Sequence, residues 1–292
     1  MVSPRGYTPP EFSDEGRDAF LKVLRSAAHR MHGDPARLWL IGFAWGGHAC
    51  FDTALHRPGV LCGIVALCGA PRRVHLRLLD QLRGVTVRAL CGAQDDPELV
   101  WTLNELKQIA GSRRLTYQLQ LDPERGRELA LAGADQVAGV IASAPPLSLG
   151  LAPSGELIAD GALVENPLLR IEAIDEARVK IAHEVSVPAG ASEDAKRRLI
   201  IKSMEKAVVK LRWKIETRGQ VRTLMLESDG VKSCSVLVRA PLADQVDQLV
   251  VRARNKVCFA GAPLPDVRAV LTEARRTGDR LTPVLRTIAV SF

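Results

Sequence analysis

The stretch RLWLIGFAWGGHACF joins a short apolar run, a turn rich in glycine and the start of a helical pattern. Gly42, Gly46 and Gly47 surround the turn, and such small residues let a chain reverse sharply between a strand and a helix. A turn of this kind exposes the side chain at its apex, where hydrolytic enzymes carry a nucleophile. Here the apex is Ala44, which has none, and the following Trp45 N–H stands in the position of an oxyanion donor. The pattern predicts the frame of an acyl-transfer site without its nucleophile.

The elements around this turn alternate between helix and strand from about Ser13 to Leu121. A capped amphipathic pattern begins at Ser13, and short apolar strands then alternate with helices up to the alternating strand RLTYQLQLD. Such spacing predicts a parallel sheet with helices on both faces.

The segment DPARLWLIGFAWGGHACFDTALHRPGVLCGIVALCGAP, followed by LRGVTVRALCGAQDD, resembles the α/β-hydrolases of the esterase and prolyl-oligopeptidase type. The polyhydroxybutyrate-depolymerase-like and dienelactone-hydrolase-like branches are the most similar. The resemblance implies a serine or cysteine at the position of Ala44 and a catalytic acid at Asp95, with Asp96 as the alternative. It spans roughly Asp14 to Leu121, and the C-terminal segment more weakly resembles the β-rich extension of some bacterial members.

Three departures from that family's pattern bear on activity. The first departure is Ala44 at the apex of the turn. The second is that no histidine occurs in the stretch DPERGREL, where the family's histidine is expected. The third is that too few residues precede the turn to supply the family's opening strands. A serine needs a base within hydrogen-bond reach, so the sequence predicts a catalytically inactive protein acting as a scaffold or binding protein. An inactivated variant or an incomplete fragment of a competent serine ester or peptide hydrolase is the alternative.

The second half of the chain has a different character. The pattern VVKLRWKIETRGQVRTLML alternates with period two, and ESDGVKSCSVLVR repeats it after Asp229-Gly230, which predicts a β-meander. The stretch SEDAKRRLIIKSMEKA predicts a helix before it, and PLPDVRAVLTEARRTG predicts a late helix that Gly278 ends. We therefore predict an α/β fold class: an incomplete α/β-hydrolase-like parallel sheet in residues 1–133, a Pro/Gly-rich linker in 134–167, and a β-rich (α+β) C-terminal domain in 168–292.

Other side chains could carry chemistry but have ordinary structural explanations. His48 is predicted to pack or cap, His56 to sit at a helix end, and His183 to face away from its neighbour Glu184 on a strand. Asp160-Gly161 resembles the aspartate motif of patatin-like lipases, although a surface turn explains the same dipeptide.

Charge and composition limit the remaining classes of function. The formal net charge of +7 on the 292 residues would permit binding to nucleic acid. Most of the excess charge is arginine scattered among carboxylates, however, and aromatic residues make up only 4%, so nucleic-acid binding is not expected. A further alternative function is a basic β-domain module that binds an anionic partner. The candidate anion-binding residues are those of the densest basic stretch: Lys196, Arg197, Arg198, Lys210, Arg212 and Lys214.

Six cysteines without a C-x-x-C pair predict buried thiols in a reducing compartment, with no metal site and no cofactor. The chain has no signal or membrane-spanning segment, so a cytoplasmic location is expected. A sheet without its opening strands would leave an open edge, which predicts a homo-oligomer or a partner chain there. A small-molecule ester or peptide ligand is the other expected partner.

Overall fold

The structure is a computed structural model, and it describes residues 13–34, 37–127, 152–181, 186–279 and 282–292. The chain divides into two compact units. The α/β unit comprises residues 36–147 and 180–207, and the β unit comprises residues 1–35, 148–179 and 208–292.

The α/β unit is built on a parallel sheet, as the sequence predicts. Its strands are adjacent in chain order: β1 (Trp39–Phe43), β2 (Gly63–Leu67), β3 (Thr86–Gly92) and β4 (Tyr117–Asp122). Three helical segments connect them: α2 (Trp45–His56), a 3₁₀ helix (Arg73–Leu82) and α3 (Pro97–Arg113). Helix α2 packs on β1 and β2, and α3 packs on β3 and β4. The fully buried side chains of Phe51, Leu55 and Leu103 show that the helices bury apolar faces in this packing.

A helix from the second half of the chain also belongs to the α/β unit. This helix is α5 (Glu193–Met204), whose Ser192 cap accepts a hydrogen bond from the Ala195 N–H. The short α4 (Glu176–Val179) precedes it in the chain and belongs to the β unit. Helix α5 contacts the 3₁₀ helix, and the Arg198 Nε lies 3.2 Å from Glu105 Oε2 of α3. The sequence predicts this helix correctly but places it beside the β-rich part.

The converse holds for the first helix, α1 (Asp14–Arg30), which lies in the β unit. Ser13 caps it, as predicted, by accepting a hydrogen bond from the Gly16 N–H at 3.1 Å. It contacts the helix α7 (Val267–Thr277), and the Arg25 guanidinium donates to the Thr277 carbonyl at 3.1 Å. The predicted boundaries at 133 and 167 therefore do not coincide with the edges of these units.

Two sheets form the β unit around one core. The elements of this unit are β5 (Ser154–Ala159), β6 (Leu169–Ile174), β7 (Val209–Arg218), β8 (Val221–Asp229), β9 (Val231–Val238), the short helix α6 (Ala240–Ala243), β10 (Gln248–Ala253), β11 (Lys256–Gly261) and β12 (Arg286–Ser291). The five-stranded sheet has the order β11-β10-β8-β7-β5, and the three-stranded sheet has the order β12-β9-β6. Side chains of both sheets meet in the core, among them Leu211, Leu224 and Val236. Strand β5 lies within the stretch whose composition predicts a linker.

The predicted meander is right at its first turn and wrong at its second. Arg218 and Val221 close the β7–β8 hairpin around Gly219-Gln220, as the alternation predicts. At Gly230, however, the chain leaves the five-stranded sheet, and β9 pairs with β6 and β12 instead. Gly230 has φ +87°, and a Cβ there would lie 2.6 Å from Val209 Cγ1, so the crossing needs glycine.

Within the described part of the chain, no helix combines the length and the apolar character needed to cross a membrane.

Candidate functional site at the glycine turn

The glycine turn, residues 42–47, connects β1 to α2 through a strained backbone. Ala44 has φ 49° and ψ −113°, a combination that L-residues rarely adopt. Its N–H donates to the Leu67 carbonyl at 2.8 Å, and its carbonyl accepts from the His48 N–H at 3.1 Å. Trp45, the first residue of α2, is 63% exposed, and its backbone N–H belongs to the first helical turn, where amides have no partner within the helix.

Close backbone approaches make two of the three predicted glycines of this turn necessary. A Cβ on Gly42 would lie 2.0 Å from the Gly46 carbonyl oxygen, and one on Gly47 would lie 3.0 Å from the Gly69 Cα. A Cβ on Gly46 would meet nothing within 4 Å. Gly69 is also required, since a Cβ there would lie 2.7 Å from the Ala44 carbonyl oxygen. The sequence pattern does not single out Gly69, because it lies on the neighbouring strand's exit.

Asp95 follows β3 and has a buried carboxylate, with a side chain that is only 4% exposed. Its Oδ1 accepts the Asp96 N–H at 2.7 Å and lies 3.4 Å from the Arg127 guanidinium. Asp96 has a different role, because its Oδ1 caps α3 by accepting the Glu98 N–H at 2.8 Å. Of the two candidate acids, Asp95 is the one whose carboxylate lies beside the ends of β2 and β3, within 4.8 Å of the Cys68 and Cys91 Sγ atoms.

The loop after β4, residues 123–127, lies against the end of β3. The Gln94 N–H donates to the Arg125 carbonyl at 3.0 Å, and a Cβ on Gly92 would lie 2.1 Å from that same oxygen. This loop is where the family resemblance implies a catalytic histidine. The side chain that it brings to Asp95 is the Arg127 guanidinium, which donates hydrogen bonds but does not accept a proton.

Two thiols complete the surroundings of Asp95. Cys68 follows β2, Cys91 lies on β3, and their Sγ atoms and an Asp95 oxygen all lie within 4.8 Å of one another. Both cysteines are buried, and burial raises the pKa of the Cys91 thiol to about 12 and raises that of Cys68 as well. Because the Leu67 carbonyl accepts the Ala44 N–H and no space for a Cβ remains between Gly69 and the Ala44 carbonyl, the segment 67–69 connects the glycine turn to the Asp95 group.

His48, one turn into α2, is held by the backbone of a neighbouring segment. Its Nδ1 donates to the Ala70 carbonyl, and its ring lies 5.6 Å from the Trp45 ring. Burial lowers the pKa of His48, and the nearby charges of Arg72 and Arg127 act in the same direction. This packing is what the sequence predicts for His48.

A second group of titratable side chains lies between α2 and the 3₁₀ helix. Asp52 Oδ1 is 3.4 Å from His56 Nδ1 and 3.7 Å from His75 Nδ1, and the ligand atoms of the three residues lie within 4.8 Å of one another. His56 is completely buried, and its Nδ1 donates to the Asp52 carbonyl at 2.8 Å. The sequence places His56 at a helix end but does not reveal this grouping, because His75 comes from a different helix.

The basic stretch is divided between the two units and is balanced by carboxylates. In the α/β unit, Lys196, Arg197 and Arg198 lie within 4.0 Å of carboxylates of α5 and α3. In the β unit, Lys210 and Arg212 share Glu156, and Lys214 pairs with Glu216.

Two minor candidates have simple outcomes. The Asp160-Gly161 dipeptide forms a bend in which Gly161 has φ +114°. His183 lies outside the described residues.

Comparison with known proteins identifies hydrolases among the similar solved structures. No family profile matches the chain, and no curated protein is similar enough to match. The esterase PE8 structure aligns with 44% of this chain and 59% of its own, at 21% identity and a TM-score of 0.37. A putative dienelactone hydrolase from Klebsiella pneumoniae aligns with 43% of this chain and 60% of its own, at 26% identity and a TM-score of 0.35. A predicted CIB-like hydrolase from Thermoplasma acidophilum aligns with 48% of this chain and 62% of its own, at 16% identity and a TM-score of 0.34. The chain thus spans about three-fifths of the length of each of these proteins.

Proposed function

We propose that this protein is a non-catalytic relative of the serine esterases and peptidases of the α/β-hydrolase fold, and that it acts by binding. One observation carries the proposal: the buried carboxylate of Asp95 is paired with the Arg127 guanidinium, where a hydrolase needs an imidazole. Ala44 at the apex of the turn supports it, because its methyl group cannot attack a carbonyl.

The charge on Arg127 matters more than its size. A triad histidine takes a proton from the nucleophile and later returns it, whereas a guanidinium stays protonated throughout. His48 does not reproduce the triad arrangement, because its Nδ1 donates to the Ala70 carbonyl and not to a carboxylate that would orient the ring and stabilise its protonated form. In the described part of the structure, neither group offers the acid-bound base that a serine at position 44 would require.

The surface around the turn retains features suited to a ligand. Trp45 is an exposed aromatic side chain beside the amides of the first turn of α2, and such amides bind carbonyl or carboxylate oxygens. This supports a small ester, peptide or carboxylic-acid ligand that is held without being cleaved.

The test compares four proteins in a p-nitrophenyl ester assay: the unmodified chain, Ala44→Ser, Arg127→His and the double variant. We expect the unmodified chain and both single variants to remain at the background rate. Ala49→Ser is the matched control, because it adds a serine to α2 away from the apex. Activity in the double variant alone would show that Arg127 occupies the position of the base.

The competing function, a competent hydrolase present as an inactivated variant or a fragment, makes the opposite prediction. Ala44→Ser alone would then hydrolyse the ester well above the Ala49→Ser control and would react covalently with a fluorophosphonate. Either result would refute the non-catalytic proposal, because it would require a base other than Arg127.

A binding role also gives a purpose to strand β1. Among the described residues, β1 pairs with β2 alone, and its side chains Ile41 and Phe43 are 44% and 47% exposed. We propose that a second copy of the chain, or a partner strand, pairs along this edge. Light scattering should then show a dimer that Phe43→Lys converts to a monomer, and a monomeric unmodified chain would exclude self-association.

A further inference from the structure

We infer that Cys68, Cys91 and Asp95 form a binding site for a thiophilic divalent cation, with Zn²⁺ as the expected ion. The sequence offers no sign of it, because the two cysteines are separated by the whole 3₁₀ helix and by most of β3. Strand pairing brings them together: Leu67 pairs with Leu90, so the next residues along the two parallel strands are Cys68 and Cys91.

The distances suit tetrahedral coordination. A zinc ion at ~2.3 Å from sulfur and ~2.1 Å from oxygen, with tetrahedral angles, places the two ligand atoms about 3.6 Å apart. The Cys91 Sγ and Asp95 Oδ2 are 3.9 Å apart, and all three ligand atoms lie within 4.8 Å of one another. Shifts of at most about 1 Å would bring all three ligand atoms to these separations around an ion.

Contacts with the loop after β4 and with the start of α3 hold two of the three ligands, Asp95 and Cys68, in place. The Asp95 Oδ1 is occupied by Arg127 and by the Asp96 N–H, which leaves Oδ2 facing the thiol of Cys91. Cys68 has φ +51°, a conformation that costs a non-glycine residue of the order of 1–3 kcal/mol. Its thiol also contacts the Arg127 carbonyl at 3.6 Å.

The charges balance with and without the ion. Without it, two neutral thiols accompany one carboxylate and one guanidinium, so the group is neutral. Binding of Zn²⁺ converts both thiols to thiolates and releases two protons to the solvent. Three negative ligands, the dication and Arg127 again sum to zero. No electron transfer is involved, and one coordination position remains for water or another ligand.

Softness of the ligands distinguishes this group from the one formed by Asp52, His56 and His75. Two thiolates favour a soft ion such as Zn²⁺, whereas imidazole and carboxylate ligands accept many transition ions. A Co²⁺ probe separates the two groups, because only sulfur ligation produces an intense thiolate-to-cobalt charge-transfer band.

The experiment titrates the full, reduced chain with Co²⁺ and then displaces it with Zn²⁺. We expect the charge-transfer band to saturate at one Co²⁺ per chain and to disappear when Zn²⁺ is added. Because two protons leave, the affinity should rise about 100-fold per pH unit while the thiols remain protonated in the free protein. The site would be refuted if the unmodified chain showed no thiolate-to-cobalt charge-transfer band, whether or not the weaker visible bands of bound Co²⁺ appeared.

Variants identify the ligands. Cys68→Ala and Cys91→Ala should each remove about half of the band intensity and weaken binding, while Cys50→Ala, the same change at another buried cysteine, should leave both unchanged. Asp95→Asn keeps the size of the side chain and should retain the sulfur band with at least about tenfold weaker binding. Circular dichroism checks that each variant is folded. A charge-transfer band that kept its full intensity in Cys68→Ala and in Cys91→Ala would refute the assignment, even if Asp95→Asn failed to fold.

Discussion

Replacing Ala44 by glycine should stabilise the protein. The residue has φ 49° and ψ −113°, and strain of this kind costs a non-glycine residue about 1–3 kcal/mol. Glycine adopts the same conformation without a clash. Its greater freedom in the unfolded chain costs about 0.5–1 kcal/mol, and loss of a half-buried methyl group costs about 0.4 kcal/mol. The expected net gain in the free energy of unfolding is therefore about 1 kcal/mol.

The matched control for this change is Ala49→Gly, in the helix α2 that follows the turn. Ala49 has no positive φ, so glycine there removes helix propensity and should destabilise the protein by about 1 kcal/mol. The identical chemical change thus has opposite signs at two positions five residues apart. The expected difference between the two variants is about 2 kcal/mol.

Urea unfolding followed by tryptophan fluorescence is the appropriate assay. Three of the four tryptophans, Trp39, Trp45 and Trp101, lie in the α/β unit, so the signal reports mainly on the unit that contains the turn. A higher midpoint for Ala44→Gly with an unchanged slope would indicate a gain in stability. If Ala44→Gly destabilised the unit as much as Ala49→Gly, the apex would not be strained and the geometry assigned to the turn would be wrong.

Two further predictions concern stability. Gly42→Ala should destabilise the α/β unit by several kcal/mol, since the new Cβ would lie 2.0 Å from the Gly46 carbonyl oxygen. Gly46→Ala should be neutral or stabilising by up to about 1 kcal/mol, because a Cβ there would meet nothing within 4 Å. Equal effects of the two variants in urea unfolding would contradict this. In the β unit, burial alone would raise the pKa of Glu273, but hydrogen bonds and charge from Arg276 and Arg170 lower it overall. Since the folded pKa lies below the unfolded value, the stability that Glu273 contributes is present above pH 4.5 and is lost as the pH falls through the folded pKa. Glu273→Gln should flatten the acid side of the stability profile, and an unchanged profile would show that the carboxylate is not linked to folding.

The sequence predicts well those features that depend on neighbouring residues. The Ser13 cap of α1, the Gly278 end of α7 and the Gly219-Gln220 hairpin each follow from local backbone chemistry, and the structure contains all three. The parallel α/β sheet is also predicted, because short apolar strands between helices leave few other arrangements.

Features that depend on which surfaces meet are not predicted. The apolar faces of α1 and α5 identify them as helices but do not specify the sheet or helix on which each packs. The exit of β9 into a second sheet is hidden for the same reason, since alternation fixes the faces of a strand and not its partner. The pairing of Cys68 with Cys91 depends on register between strands, and the pairing of Asp95 with Arg127 depends on the path of a loop.

This distinction determines how much the glycine turn says about catalysis. Gly42 and Gly47 are required by close backbone contacts whether or not a nucleophile is present, so folding alone is sufficient reason for them. The Asp95–Arg127 pair is different, because many side chains would satisfy a buried carboxylate but only a proton acceptor would serve a serine. Evidence about activity therefore lies in the partner of the acid rather than in the shape of the turn. For a chain with this turn, the identity of the residue at position 127 is a more informative test of function than the residue at position 44, since a serine without a base would still be inert.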